Sequence, residues 1–145
     1  MTRAKRRLRR AVPGSPVILD SGALTELVDR RSLVTAILEE LRRENYRVVI
    51  PAVVLVEALS GKRVDAPINQ LIRRAAEVPA SDEPRCRLAA GLRTRTPAAS
   101  PVDALVVAEA LVATAELTPV ILTYDPHVRE IAAAADRLIV VPNLQ

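Results

Sequence analysis

Apolar residues fall along this chain in two rhythms. Short unbroken runs stop abruptly at turn residues: Val17-Ile18-Leu19, Val48-Val49-Ile50, Val120-Ile121-Leu122 and Leu138-Ile139-Val140-Val141. Runs of this length, rich in β-branched residues, read as strands buried on both faces. Glu77-Val78-Pro79 reads as one more short strand. Between the runs, apolar positions recur at the three-to-four spacing of a helix face. This spacing predicts helices from Ala23 onward, then over 32–44, 52–59, 66–76, 82–93, 100–115 and 131–135. Ser32 and Ser100 stand where caps belong, and Pro51, Pro84 and Pro101 fall in first turns. Arg30-Arg31-Ser32 marks a break, and 94–99 reads as a loop. Strands alternating with amphipathic helices imply parallel pairing, with helices on both faces. The expected fold is α/β: a three-layer α/β/α sandwich around a mainly parallel sheet of four to five strands.

Composition narrows this. With 145 residues, one domain is the simplest reading. Aromatics make up 1% and neither Phe nor Trp occurs, so Val, Leu, Ile and Ala must build the core. One Cys excludes an intrachain disulfide, and one Cys with one His excludes a His/Cys zinc site. Oxygen ligands remain, which favour Mg²⁺ or Mn²⁺. The stretch 104–115 is the most apolar, but it is too short to span a bilayer and Glu109 interrupts it. Cysteine usage suits a cytoplasmic protein.

The net charge of +4 belongs to one end of the chain. Residues 1–10 hold six of the 21 basic residues and no acid, which leaves the remainder at a net of −2. Residues 1–15 therefore read as a basic tail and linker, able to touch nucleic acid or merely to be solvated. Residues 16–145 read as the folded domain.

Of 17 acids, four do not sit on polar faces. Asp20 and Asp125 each follow an apolar strand. Glu57 lies within Val53-Val54-Leu55-Val56-Glu57-Ala58-Leu59, and Asp103 opens an almost wholly apolar helix. Each has an ordinary explanation. Asp20 could cap a helix, Asp125 before Pro126 could shape a turn, and Asp103 could be the third residue of a capping box. Glu57 could be an ion-paired core residue. Taken jointly, two acids ending parallel strands lie on one sheet edge, where the following helices also begin. Four carboxylates around one crevice repel one another unless a cation neutralises them. A hard divalent ion does so, and it can lower the pKa of a water beside a phosphate.

These segments resemble the PIN-domain nucleases, in particular the VapC-type toxins of bacterial toxin–antitoxin pairs. The resemblance rests on residues 17–24, 54–59, 102–108 and 121–125, in that order and spacing. It implies a metal-dependent endoribonuclease with Asp20, Glu57, Asp103 and Asp125 as the acidic ligands of Mg²⁺ or Mn²⁺. An activated water would attack phosphorus in line, leaving a 3′-hydroxyl and a 5′-phosphate. Thr123 would hydrogen-bond the acids or that water. The implied substrates are structured RNAs of the tRNA or rRNA class. The implied partners are a second copy, as a homodimer, and a cognate antitoxin lying across the active site. The family often has Ser or Asn two places after the first Asp. Here that position is Gly22, with the hydroxyl at Ser21. His127 stands where the family often has an aromatic or large apolar residue, and either a phosphate contact or a surface role would suit it. With so few aromatics, RNA recognition is expected to rest on arginines such as Arg93 and Arg95, in the loop before Asp103.

Other acid-rich α/β folds fit less well. A phosphoacceptor receiver needs a lysine after a late strand, and the only lysines are Lys5 and Lys62. A dehalogenase-type phosphatase needs an acid where Gly22 stands, and no phosphate-binding glycine motif occurs. A PIN-like module that binds RNA or a partner without cutting is the remaining alternative.

Overall fold

A computed structural model describes residues 13–29 and 32–144. The basic segment 1–12 and the Arg30-Arg31 break lie outside the described residues. The sheet comprises β1 (Pro16–Leu19), β2 (Arg47–Val49), β3 (Ala76–Glu77) and β4 (Val120–Leu122), all parallel, in the order β3-β2-β1-β4. Every residue of β1 and β4 is buried, as their unbroken apolar sequences require. Each such side chain contributes about 1.5–3 kcal/mol relative to exposure.

Seven α-helices flank this sheet among the described residues: α1 (Ser21–Leu27), α2 (Leu33–Arg43), α3 (Val54–Ala58), α4 (Ala66–Arg74), α5 (Glu83–Arg95), α6 (Pro101–Leu111) and α7 (Pro126–Ala134). They pack as two groups, α1 to α4 together and α5 to α7 together, with α6 lying on β1 and β4. The α/β sandwich is thus as expected. No helix among the described residues is long and apolar enough to cross a membrane.

Polar residues set the helix starts. Asp20, Ser32, Asp82, Ser100 and Asp125 each accept a hydrogen bond from a backbone N–H in the first turn of the helix that follows. Capping by Asp125 starts α7 at Pro126, five residues before the helix expected from Ile131.

Three expectations need correction. Residues 138–141 form no fifth strand. A single bridge joins Val140 to Val120, and Leu138 is 72% exposed. Arginines fasten this segment instead: Arg137 donates to the carbonyls of Ala113, Thr114 and Leu117, and Arg129 to those of Val141 and Pro142 at 3.0 Å. The strand expected at 77–79 is Ala76–Glu77, since Pro79 has no N–H to give a ladder. The helix expected over 52–59 has five residues, Val54–Ala58, and only Val54 of these is buried.

Candidate active site

The chain leaves β1 for β2 and β3 on one side, then returns to place β4 on the other. Between β1 and β4 the strand order reverses, and open parallel sheets form their crevice at the carboxyl ends of such strands. Leu19 pairs with Leu122, so the next residues, Asp20 and Thr123, emerge side by side into that crevice. The Thr123 hydroxyl donates to Asp20 Oδ2. Its oxygen accepts from the Asp125 N–H at 2.9 Å. The other carboxylate oxygen, Asp20 Oδ1, accepts from Ala23 N at 2.9 Å. Asp125 Oδ1 accepts from His127 N at 2.8 Å, and Asp103 N donates to Ser100 Oγ at 3.1 Å. Capping and convergence are therefore not alternatives. The cap bond holds one oxygen of Asp20 and of Asp125 and thereby aims the rest of the carboxylate.

The acids act on one another. Burial pushes the Asp20 carboxyl above its ordinary 3.8, and the charges of Asp125 and Asp103 add to this against the opposing Thr123 and Ala23 bonds. Asp103 is raised chiefly by burial and next by Asp125, with Ser100 opposing. A carboxyl raised in this way binds its proton more readily folded than unfolded. The native state is then favoured below the ordinary value, and stability falls as pH rises through the raised one. Asp103→Asn should accordingly raise the unfolding midpoint of the metal-free protein at neutral pH. The gain should vanish below pH 3.8, where the wild-type carboxyl is protonated in both states. A pH series of thermal melts on both proteins measures this.

Glu57 departs from expectation. It is exposed rather than buried, and it is not among the principal groups acting on Asp20 or Asp103. Its apolar neighbours misled, because Val56 beside it is 81% exposed. Arg93 and Arg95 lie on the last turn of α5 rather than in a loop. Arg93 donates to the Ala99 carbonyl at 3.2 Å, and Arg95 pairs with Asp136 at 3.3 Å. Ser21 begins α1, and its carbonyl accepts from the Thr25 hydroxyl. A Cβ added at Gly22 would stand 3.6 Å from Asp20 Oδ1 and 3.8 Å from Tyr124 Cβ, ordinary contact distances, so Gly22 lies against both the first acid and that tyrosine. The side chain of His127 is exposed and lies 4.0 Å from Glu130.

Two buried acids escaped the sequence reading. Asp65, 5% exposed, accepts from the N–H groups of Ser60 and Gly61 and from the Ser60 hydroxyl, and these bonds hold its pKa below the ordinary carboxyl value. It shapes the turn after α3. Glu109 is paired with Arg85. Its place within the apolar helix was the available signal.

The oxygen-only donor set of Asp20, Asp103 and Asp125 suits a hard cation, and their mutual repulsion is what such an ion relieves. Among the described residues, no three of His, Cys, Asp and Glu are drawn together tightly enough to hold an ion as they stand.

The sequence model of the PIN domain matches residues 17–134. Two solved structures are similar. VapBC2 from Rickettsia felis, bound to a DNA fragment from their promoter, superposes with a TM-score of 0.63 at 13% identity, covering 88% of this chain and 99% of that one. FitAcB from Neisseria gonorrhoeae gives 0.56 at 19% identity, covering 88% and 96%. At these identities the likeness is one of fold. No curated protein matches the chain.

Proposed function

We infer, starting from the fact that this chain belongs to the PIN domain family, that it is a Mg²⁺- or Mn²⁺-dependent endoribonuclease. We assign it as the toxin of a toxin–antitoxin pair, acting in the cytoplasm on structured RNA of the tRNA or rRNA class. One observation carries the reading: Asp20, Thr123 and Asp125 share one edge in strand register, and the charges of Asp103 and Asp125 both reach the Asp20 carboxyl.

Asp20, Asp103 and Asp125 would hold the cation, with Glu57 as an outer acid swinging in from α3. When bound, a divalent ion supplies positive charge to the phosphate and lowers the pKa of a water beside it. Thr123 keeps Asp20 oriented through its hydroxyl and Asp125 through its own oxygen.

An antitoxin partner is supported by the two similar structures, whose names denote a VapBC2 complex and FitAcB. Val56 and Val64, 81% and 53% exposed, offer apolar surface to such a partner or to a second copy in a homodimer. The rival reading, a PIN-like module that binds RNA or a partner without cutting, draws on the exposure of Glu57.

Purified protein incubated with total RNA separates the two. Cleavage is expected with Mg²⁺ or Mn²⁺, none with chelator, and none by Asp103→Asn. Equal cleavage by wild type and Asp103→Asn would remove the assignment of the site. Binding without cleavage under every condition would favour the module.

A further inference from the structure

Recognition of RNA bases was expected to be weak in a chain with only two aromatic residues. The two are placed very differently. Tyr46 is buried in the core at 6% exposure. Tyr124, half-buried, sits between Thr123 and Asp125, inside the acid network itself. Of the two tyrosines it is thus the one that an external ligand can reach.

The surroundings of the ring matter as much. On one side it meets the bare backbone of Gly22 next to Asp20. Glu26, one turn further along α1, is the charge its phenol senses. Tyr124 also lines a cleft of about 290 Å³, together with Thr123, Pro126, Arg129, Asn143 and Leu144. That volume is at the small end for ligand pockets, nearer to one nucleoside than to a larger molecule. Arg129 bonds the carbonyls of Val141 and Pro142, which fixes the C-terminal segment as the far wall and leaves a cation beside the cleft. Leu144 is 5% exposed, so this wall is anchored in the core. Asn143 brings an exposed amide to the same wall.

We propose that Tyr124 and the cleft between it and residues 143–144 form a nucleobase subsite, in which one unpaired base of the RNA stacks on the Tyr124 ring beside the scissile phosphate. The proposal rests on the ribonuclease reading for its ligand. Every base has a π-face, so one ring suffices to hold a base. The cleft shares Thr123 with the acid network, so a base held here brings its own phosphates toward the acids, and the subsite favours RNA with an unpaired nucleotide near the cut, as in loops. The Arg129 charge favours the phosphates on either side of that base.

Two readouts test this. In the first, short RNA oligonucleotides carrying 5-iodouridine at successive positions are irradiated with Asp20→Asn protein, and the crosslinked peptide is mapped. Tyr124 is the expected crosslink, from one position only. In the second, Tyr124→Phe and Tyr124→Leu are compared with wild type on one RNA. Phenylalanine should keep KM and the cleavage pattern. Leucine should raise KM at least about ten-fold, the effect typical of losing a base stack, with kcat little changed and a broader spread of cut sites. Circular dichroism confirms that both variants fold. Wild-type KM and cut sites in Tyr124→Leu, with crosslinks elsewhere, would overturn the subsite while leaving the ribonuclease reading intact. A crosslink at Tyr124 in a protein that cuts no RNA would keep the base site and reject the ribonuclease. Loss of a C-terminal antitoxin segment, rather than of RNA, in Tyr124→Leu would assign the cleft to a peptide and reject the proposal.

Discussion

Asp20→Asn is expected to lose RNA cleavage by roughly 10³-fold and to keep its fold. A divalent ion contributes several kcal/mol of charge stabilisation to phosphate chemistry, and each 1.4 kcal/mol is a factor of ten. Asp20 is the acid at the centre of the network, touched by Thr123 and sensing both Asp103 and Asp125. Asparagine retains the oxygen that caps α1 at Ala23. It loses the hydrogen bond from Thr123 but also loses a buried charge whose neighbours oppose it. The unfolding midpoint without metal should therefore be no lower than that of wild type. Added Mn²⁺ should raise the midpoint of wild type, by mass action on the native state, and leave that of Asp20→Asn unmoved. Thr123→Val removes an orienting partner rather than a ligand, so its loss should be smaller, about 10–100-fold. Single-turnover cleavage and melts with and without Mn²⁺ measure all of this. A variant that melts early would return Asp20 to a purely structural role.

Glu109→Leu is expected to be the most destabilising polar substitution, although it lies away from the chemistry. Glu109 accepts from Arg85 Nε at 2.6 Å and from Nη2 at 3.1 Å, a two-pronged pair across the packed faces of α5 and α6. Its side chain is 7% exposed and that of Arg85 21%. Removing one member of a buried pair strands the other and costs about 3–5 kcal/mol. Arg85 keeps Asp82 at 2.7 Å and some water, so the expected cost falls below that range, about 2–3 kcal/mol. For a chain of this size that amounts to roughly 5–10 °C in Tm. Arg85→Leu with Glu109→Leu should recover most of the loss, because two apolar residues of similar volume replace the pair without a stranded charge. Denaturant melts of the two singles and the double give the coupling. A double variant as unstable as the sum of the singles would show that the pair is not the stabilising unit.

Strand placement and helix caps were legible because they depend on local chemistry. Val17-Ile18-Leu19 has no polar group to expose, and Ser100-Pro101 can only begin a helix. The convergence of Asp20 with Asp125 was legible too, since parallel strands end at one edge. Burial of individual acids was not. Glu57 is surrounded by apolar residues in sequence yet stands in water, because a five-residue helix has too little face to bury them all. Asp65 follows Lys62-Arg63-Val64 in a polar-looking turn, yet it is 5% exposed because three donors of that turn close on it. Burial is decided by what arrives from elsewhere in the chain. The last apolar run failed as a strand for the same kind of reason: it meets β4 at the single residue Val140, and its next carbonyl, that of Val141, is taken by Arg129.

The bond from Thr123 to Asp20 spans 103 positions. Closing so long a loop is slow in comparison with forming local helices. During synthesis, every residue from Ser21 to Pro119 leaves the ribosome before the partner of Asp20 exists. No fragment ending short of β4 carries the joined acids, however well its helices have formed. Half-made chains are therefore incapable of the reaction assigned to the whole, and the order of the strands delays the joining of the acids until the last strand has docked.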